Sequence, residues 1–311
     1  MMCGLGSMNW TAEIKAARQR VAPHVRQTPV MVCNNLIAGM SIEIKLEHMQ
    51  HTGSFKARGA FNSLLSTDVP ASGVVAASGG NHGAAVAYAA NQLGHKASIF
   101  VPDIAGPAKI ELIRQSGIEP VVVTGAYVDA LREANKLIDE GGAMSIHAYD
   151  GYGTVIGQGT CMAEWEDQGL QADTVLIAVG GGGLIGGALG WLQGRRKIVG
   201  VEPEAACTMH AARAAGQPVD VAVSGVAANA LGAGRLGDVT FGLTREFAVE
   251  NILVTDDAII EAQVLLWNRL RIAVEPAGAT GLAALISGAY VPAPNEKVAL
   301  LLCGANLVMK F

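Results

Sequence analysis

Apolar and polar residues alternate over Ile42–Glu47 (Ile-Glu-Ile-Lys-Leu-Glu), the period-two pattern of a half-buried strand, whereas Trp10 to about Val21 repeats at helical spacing and predicts a short amphipathic helix. Further along, short apolar runs and longer helical patterns take turns. Strands are predicted at Val74–Ser78, Ala97–Val101 and Pro120–Thr124. Each leads into a helix: an alanine-rich one through Leu93 that Gly94 terminates, one from Pro107 to Gln115, and one through Asp139. His147-Ala148-Tyr149-Asp150 closes this unit. The pattern resumes with a helix over Thr154–Trp165, strand Thr174–Val179, a glycine loop, a helix to about Leu192, and strand Lys197–Val201 ending in Glu202-Pro203. A helix, an irregular stretch around Ser224–Gly237, a helix at Asp257–Arg269, the turn Glu275–Ala279, another helix and strand Val298–Leu302 complete the chain. Repeated βα alternation predicts parallel sheets with helices on their faces. The order of elements divides the chain into a large unit, 1–70 with 152–311, and a small one, 71–151.

Composition narrows the class. A chain of 311 residues accommodates about two domains or one large α/β unit. Charged residues make up 16% against a typical share of about a quarter, so much of the chain is expected in the interior or at a subunit interface, and a homodimer or homotetramer is expected. The net charge of −5 comes with no Lys/Arg run, which argues against nucleic acid as a partner. Cys3, Cys33, Cys161, Cys207 and Cys303 show no C-x-x-C or metal-ligand spacing and read as reduced thiols of a cytoplasmic protein. The N-terminus lacks a basic segment followed by an apolar core, and Met1–Ser7 reads as a remnant of cloning. Thr174–Gly194 is uncharged and long enough to span a membrane, but seven glycines between Gly180 and Gly190 suit a strand-loop-helix joint instead.

Candidate chemistry centres on Lys56, between a glycine-serine-aromatic turn and a helix start. A lysine amine forms an imine with an aldehyde cofactor, and its pKa falls when it is desolvated. Three other stretches, Ala77–Gly83, Gly180–Gly187 and Leu301–Asn306, each read as a strand running into a ligand-holding loop. Loops beyond the carboxyl ends of parallel strands are where such sheets bind small molecules. Gly180–Gly183 suits a phosphate held by bare backbone amides. The same run also satisfies a dinucleotide fingerprint through Gly181, Gly183 and Gly186, with Glu202 ending the next strand. Four consecutive glycines and a separate lysine turn weigh against that reading.

The lysine turn Ser54-Phe55-Lys56-Ala57-Arg58-Gly59-Ala60, the loop Ser78-Gly79-Gly80-Asn81-His82-Gly83, the Gly180–Gly187 run and Cys303-Gly304-Ala305-Asn306 resemble the serine/threonine dehydratase and serine racemase family, in order and spacing over nearly the whole chain. The resemblance implies pyridoxal 5'-phosphate as cofactor. It implies an α/β fold of two open, mostly parallel sheets flanked by helices, the tryptophan synthase β-like fold type II, with the large unit binding the cofactor and the small one the substrate. Lys56 would hold the cofactor and move the substrate's α-proton. Phe55 would pack on its ring, Asn81 would bond its 3′-oxygen, Gly180, Gly181, Gly182, Gly183 and Leu184 would bind its phosphate, and Cys303 would face its nitrogen. Ser78, Gly79, Gly80, Asn81 and His82 would hold the substrate carboxylate.

A neutral thiol at the ring nitrogen makes the cofactor a weaker electron sink than a carboxylate would, which favours rapid loss of a β-leaving group. The resemblance therefore implies an ammonia-lyase converting a β-hydroxy-α-amino acid, such as L-threonine or L-serine, to a 2-oxo acid and ammonia. A bulkier substrate such as a phenylserine or a hydroxyaspartate is an alternative. So is a serine racemase, but racemases of the family carry a serine where Gly79 stands. Relatives also bind a divalent cation through a glutamate, a carbonyl and an aspartate; Glu202 and Ala206 match, whereas the third position is Thr208, a poorer ligand for a hard cation. The chain ends just after its last strand, so a C-terminal regulatory domain is not expected. From other classes, a nicotinamide-dependent dehydrogenase rests on the glycine fingerprint, and a non-catalytic binding protein would have to retain a reactive lysine without using it. His82 is divided between substrate contact and a helix-start role. His51, His147 and His210 read as structural or exposed, Glu275 as capping or orienting, and Tyr127, Tyr149 and Tyr152 as unranked candidates for the side-chain pocket.

Overall fold

The computed structural model describes residues 8–307, so the reading of Met1–Ser7 lies outside the described residues. Two sheets organise the chain. The larger has the order β1-β2-β10-β7-β8-β9, built from Val30–Asn34, Ser41–Lys45, Val298–Leu301, Thr174–Ala178, Lys197–Pro203 and Glu250–Val254. All its neighbours pair in parallel except β1 with β2 at one edge. The smaller sheet, β5-β4-β3-β6, is wholly parallel and uses Val121–Val123, Ala97–Pro102, Val74–Ala77 and Met144–Ser145.

The helices are α1 (Trp10–Val21), α2 (Lys56–Leu65), α3 (Asn81–Leu93), α4 (Pro107–Gln115), α5 (Tyr127–Asp139), α6 (Tyr152–Asp167), α7 (Gly183–Leu192), α8 (Thr208–Ala215), α9 (Asp238–Glu246), α10 (Asp256–Leu270) and α11 (Pro276–Ile286). Strands β1, β6 and β9 and helix α9 go beyond what periodicity predicted. β1 is an edge strand whose Val32 is 62% exposed, so its apolar run follows no one-sided alternation. The strand expected to reach Glu47 ends at Lys45, and Glu47 enters a short 3₁₀ turn, fully buried.

That turn is held by charge. Arg58 donates to both Glu47 oxygens at 2.8 and 2.7 Å and to Glu164 at 3.0 Å, and Lys45 Nζ reaches Glu164 at 2.6 Å. The cluster ties β2, α2 and α6 together two residues beyond Lys56. Buried ions held this way are costly to unpair, which makes the cluster a rigid base for the lysine.

The uncharged Thr174–Gly194 stretch becomes β7 and α7, both buried throughout. Its later glycines serve packing. A Cβ on Gly187 would lie 2.4 Å from Gly159 N, and one on Gly190 would lie 2.9 Å from the Trp10 ring, so α7 can approach α6 and α1 closely only without side chains there. Among the described residues no helix is long and apolar enough to cross a membrane.

Candidate active site

The lysine turn is stitched to the segment leaving β10. Phe55 N–H donates to the Cys303 carbonyl at 3.1 Å, Ala305 N–H to the Gly53 carbonyl at 2.9 Å, and Ser54 bridges Gly304. Thr52, at φ 58°, holds the left-handed conformation that a β-branched residue rarely adopts. His51 fastens the turn to α3 by a 3.1 Å hydrogen bond with the Tyr88 hydroxyl, a structural role as the sequence implied. Lys56 opens α2, and its Nζ donates to the Ala148 carbonyl at 2.7 Å. Burial lowers its pKa to about 8, against the opposing pull of Cys303 and Glu275. A lysine with that pKa has an unprotonated, nucleophilic fraction near neutrality.

Beyond β7, Gly180–Gly183 forms a concave wall. Gly182, at φ 94°, caps α7, and the first hydrogen bond of that helix runs from Gly186 N–H to the Gly182 carbonyl at 2.7 Å. The N–H groups of Gly183, Leu184 and Ile185 precede it and have no helical acceptor, which is the arrangement that binds phosphate. Tyr149 lies against this wall, with its ring 2.3 Å from where a Gly181 Cβ would project. Gly186, the last glycine of the dinucleotide pattern, packs on Thr240 and Val155 instead of facing the cavity.

The loop after β3 faces this wall. Ser78 Oγ accepts from Gly80 N–H at 3.3 Å, and a Cβ on Gly83 would fall 2.0 Å from the Ser78 carbonyl, so the loop closes only around a glycine. Gly80 caps α3, leaving the first N–H groups of that helix without helical acceptors beside the outer cleft, which Gly80, Asn81 and His82 line. His82 is committed elsewhere. Its Nε2 bonds the Ile146 carbonyl at 2.8 Å, and burial, with Lys56 nearby, lowers its pKa to about 3. A neutral, tethered imidazole fits the helix-start role.

Two connected cavities share Lys56, Asn81, Tyr149, Gly181 and Ala230 as lining. The inner one also reaches Phe55, Leu184, Glu275 and Cys303. The outer one, about 320 Å³, is bounded by Ser78–His82, Lys109, Tyr127 and the Ala228–Gly234 stretch. Lys109 Nζ bonds Asn229 Oδ1 at 2.9 Å across its mouth. The three tyrosines separate here: Tyr149 lines both cavities, Tyr127 the outer one, and Tyr152 lies away against Trp10, ring centroids 6.0 Å apart.

Cys303 is buried and its thiol pKa is raised, by burial first and Glu275 second, so it stays protonated. Glu275 is also buried; its Oε1 accepts from Asn81 Nδ2 at 2.6 Å, and burial lifts its carboxyl to about 7. Sequence reasoning gave Asn306 and the Ala148 carbonyl no role. The former sat inside a marked loop, but nothing local pointed to its partner.

The residues matched to a divalent cation do not fit one. Glu202 accepts from Met209 N–H at 2.7 Å, His210 N–H at 2.9 Å and Asn251 Nδ2 at 3.0 Å, and the Thr208 hydroxyl, 3.2 Å from Glu202 Oε1, donates to the Gly180 carbonyl. Hydrogens from the first turn of α8 occupy the carboxylate where a cation would have to stand, which leaves the Ala206 backbone carbonyl without a carboxylate beside it to share one. Among the described residues no group of three His, Cys, Asp or Glu gathers. The same bonds leave Glu202 unavailable to a ribose, which removes the second support of the dinucleotide reading.

Two mostly parallel sheets meeting at a desolvated lysine and a glycine cradle define a class, the pyridoxal-phosphate enzymes of fold type II. Residues 21–304 match the family described as pyridoxal-phosphate dependent enzyme. The phenylserine dehydratase of Ralstonia pickettii is 37% identical over 300 residues, 94% of this chain and 92% of that protein. Maize serine racemase superposes with a TM-score of 0.90 at 32% identity, covering 96% of this chain and 94% of that one. The T.th. threonine deaminase does so at 0.88 and 35%, covering 96% and 99%. The chain belongs to the serine/threonine dehydratase and serine racemase family, and its cofactor is pyridoxal phosphate.

Proposed function

We propose that the protein is a dehydratase, an ammonia-lyase that converts β-hydroxy-α-amino acids to 2-oxo acids and ammonia. The observation that carries this reading is the position of Lys56 Nζ, desolvated and bordering both cavities, with side-chain-free Gly79 in the loop bounding the outer one. The bound cofactor supplies the electron sink at the α-carbon. The N–H groups of Gly183, Leu184 and Ile185 hold its phosphate with Gly180–Gly182, Phe55 flanks its ring, Asn81 offers an amide N–H to its ring oxygen, and Cys303 presents a neutral thiol to its nitrogen. Ser78–His82, at the start of α3, binds the substrate carboxylate with backbone N–H groups and the Ser78 hydroxyl. Lys56 Nζ then takes the α-proton, the β-hydroxyl gains a proton and leaves as water, and a water molecule hydrolyses the released enamine, through its imine, to the 2-oxo acid and ammonia. A racemase must also deliver a proton from the opposite face, and Gly79 offers no group to do so.

Tyr127 and Tyr149 edge the outer cavity, and the 37% identity to a phenylserine dehydratase supports proposed substrates that run from L-serine and L-threonine to aryl-substituted members. We propose two domains, 71–151 and 1–70 with 152–311; the four-stranded sheet lying within the first and the six-stranded sheet within the second supports this division. We place the enzyme in the cytoplasm, consistent with free thiols at Cys33, Cys161, Cys207 and Cys303. Ile260, Val264 and Trp267, half exposed along α10, support a homodimer or homotetramer, which light scattering would detect.

The test is 2-oxo acid release by the cofactor-loaded protein from L- and D-serine, threonine, phenylserine and hydroxyaspartate, with Lys56→Ala alongside. Release from at least one substrate, lost in the variant, is expected. No release from the whole panel would sink the dehydratase reading.

A further inference from the structure

Among the buried titratable groups lining the inner cavity, Glu275 is the one that the proposed chemistry leaves without a task. It stands at the N-cap of α11, yet its carboxylate makes no capping bond to that helix. It ends a chain of side-chain hydrogen bonds that starts in the lysine turn. The Thr52 carbonyl accepts from Asn306 Nδ2 at 2.8 Å, the same nitrogen donates to Asn81 Oδ1 at 2.7 Å, and Asn81 Nδ2 donates to Glu275 Oε1 at 2.6 Å.

The direction of this chain is fixed from its Thr52 end. A peptide carbonyl only accepts, so Thr52 decides which end of the Asn306 amide faces it. Asn306 then presents N–H to Asn81, which must answer with its oxygen. The Asn81 nitrogen is thereby turned to Glu275, whose Oε1 accepts from it. Reversing either amide would oppose two donors or two acceptors. One N–H of Asn81 is committed to Glu275, and the other remains for the cavity.

The surroundings leave the chain no slack. A Cβ on Gly304 would stand 2.0 Å from Glu275 Oε1 and 3.4 Å from Asn81 Nδ2, and one on Gly53 would stand 2.5 Å from Asn306 Oδ1. Four segments therefore converge on one amide: the lysine turn, the start of α3, the N-cap of α11 and the exit of β10. Burial lifts the Glu275 carboxyl to about 7, against the hydrogen bond from Asn81 and the charge of Lys56, and in either charge state Oε1 is the atom that accepts from Asn81.

We propose that Glu275 is a positioning residue that acts through Asn81, orienting its amide so that the remaining N–H is the donor offered to the cofactor's ring oxygen, with Asn306 holding the amide from the other side. This rests on the assignment of Asn81 to the cofactor. It adds the device that makes a freely rotating amide a directed one.

The experiment measures cofactor dissociation constants by equilibrium dialysis and the position of the bound cofactor's long-wavelength absorbance, for the parent protein, Asn81→Ala, Glu275→Ala, Glu275→Gln and the double variant Asn81→Ala/Glu275→Ala. Loss of one well-aligned hydrogen bond corresponds to roughly tenfold in affinity. Asn81→Ala is expected to weaken binding by about that factor and to move the absorbance, and Glu275→Ala is expected to reproduce both changes. Glu275→Gln keeps an acceptor for Asn81 and is expected to restore the absorbance position and most of the affinity. In the double variant Glu275→Ala adds nothing to Asn81→Ala.

An undiminished effect of Glu275→Ala in the Asn81→Ala background, or a Gln variant as impaired as the Ala variant, overturns the inference. Asn81→Ala without effect on affinity or absorbance overturns the Asn81 assignment and the inference with it. An Asn81→Ala change that Glu275→Ala fails to reproduce overturns the inference alone. If Glu275→Ala does not fold, Asn306→Ala enters the same double-variant comparison from the other end of the chain, with the same expected and contrary results.

Discussion

The two walls of the site are made differently. Gly180–Gly183 with the first turn of α7 is backbone: its binding groups are peptide N–H, it carries no titratable atom, and one contiguous stretch of sequence supplies it. The facing wall is side chain: Lys56, Asn81, Glu275, and the pair Cys303 and Asn306 come from four separate segments, and three of these residues carry pKa values shifted by burial. A phosphate needs only a fixed dipole and an unobstructed approach. Proton transfer needs groups whose charge state is set by their surroundings, and burial with chosen partners requires convergence from many places. The backbone wall should therefore respond to added volume, and the side-chain wall to altered charge.

The largest effect is expected from the base of the side-chain wall. Arg58→Leu leaves Glu47 without its guanidinium partner and Glu164 with Lys45 alone, and breaking such a buried cluster costs about 3–5 kcal/mol in urea unfolding. Next comes the charge of Glu275 in the apoprotein. Its carboxyl rises from 4.5 to about 7, so between those values the folded protein keeps a proton that the unfolded chain has released, and stability falls as pH rises. At about 1.4 kcal/mol per unit Glu275 alone contributes a loss of about 3 kcal/mol, and Glu275→Gln should remove that contribution, read as the difference between parent and variant thermal melts from pH 4.5 to 7, where the neutral His82 contributes with the opposite sign. Lys56 has the opposite sign: its folded pKa of about 8 lies below its ordinary 10.5, so stability returns as pH rises between them.

On the backbone wall, Gly181→Ala places a methyl against the Tyr149 ring and should weaken cofactor binding by about 1–3 kcal/mol in equilibrium dialysis, with little change in its pH dependence. The smallest effect is expected where Lys109 reaches Asn229 across the cleft mouth. Lys109→Ala removes one exposed hydrogen bond, about 0.5–1.5 kcal/mol, and should raise KM more than it lowers kcat. A pH-dependent loss of cofactor in Gly181→Ala, or a Glu275→Gln melt whose pH trend from 4.5 to 7 matches that of the parent, would erase the distinction between the walls.

The same difference decides what the sequence reveals. Four adjacent glycines after an apolar run and before a helical pattern are readable because backbone sites are written locally, and the lysine turn is readable for the same reason. The bonds from Asn81 to Glu275 and Asn306 span 194 and 225 residues, and no local pattern marks such a meeting. Glu47 shows the converse error. Its carboxylate completes an alternating pattern as an apparent surface residue, while its pairing with Arg58 takes it into the interior. The short or edge strands β1, β6 and β9 escaped because strands lacking one buried face and one exposed face carry little periodic signal. The glycines of α7 were legible as unusual, but their division between cradle and helix packing needed α6 and α1 in place.

The central claim is that one proton-moving group, Lys56, serves an elimination and that the Gly79 face cannot return a proton. Its most direct test follows L-serine with the cofactor-loaded enzyme, measuring 2-oxo acid and D-serine together by chiral chromatography as the reaction proceeds. The expected result is 2-oxo acid accumulating with D-serine at or near background. D-serine forming faster than 2-oxo acid would contradict it and make the protein a racemase.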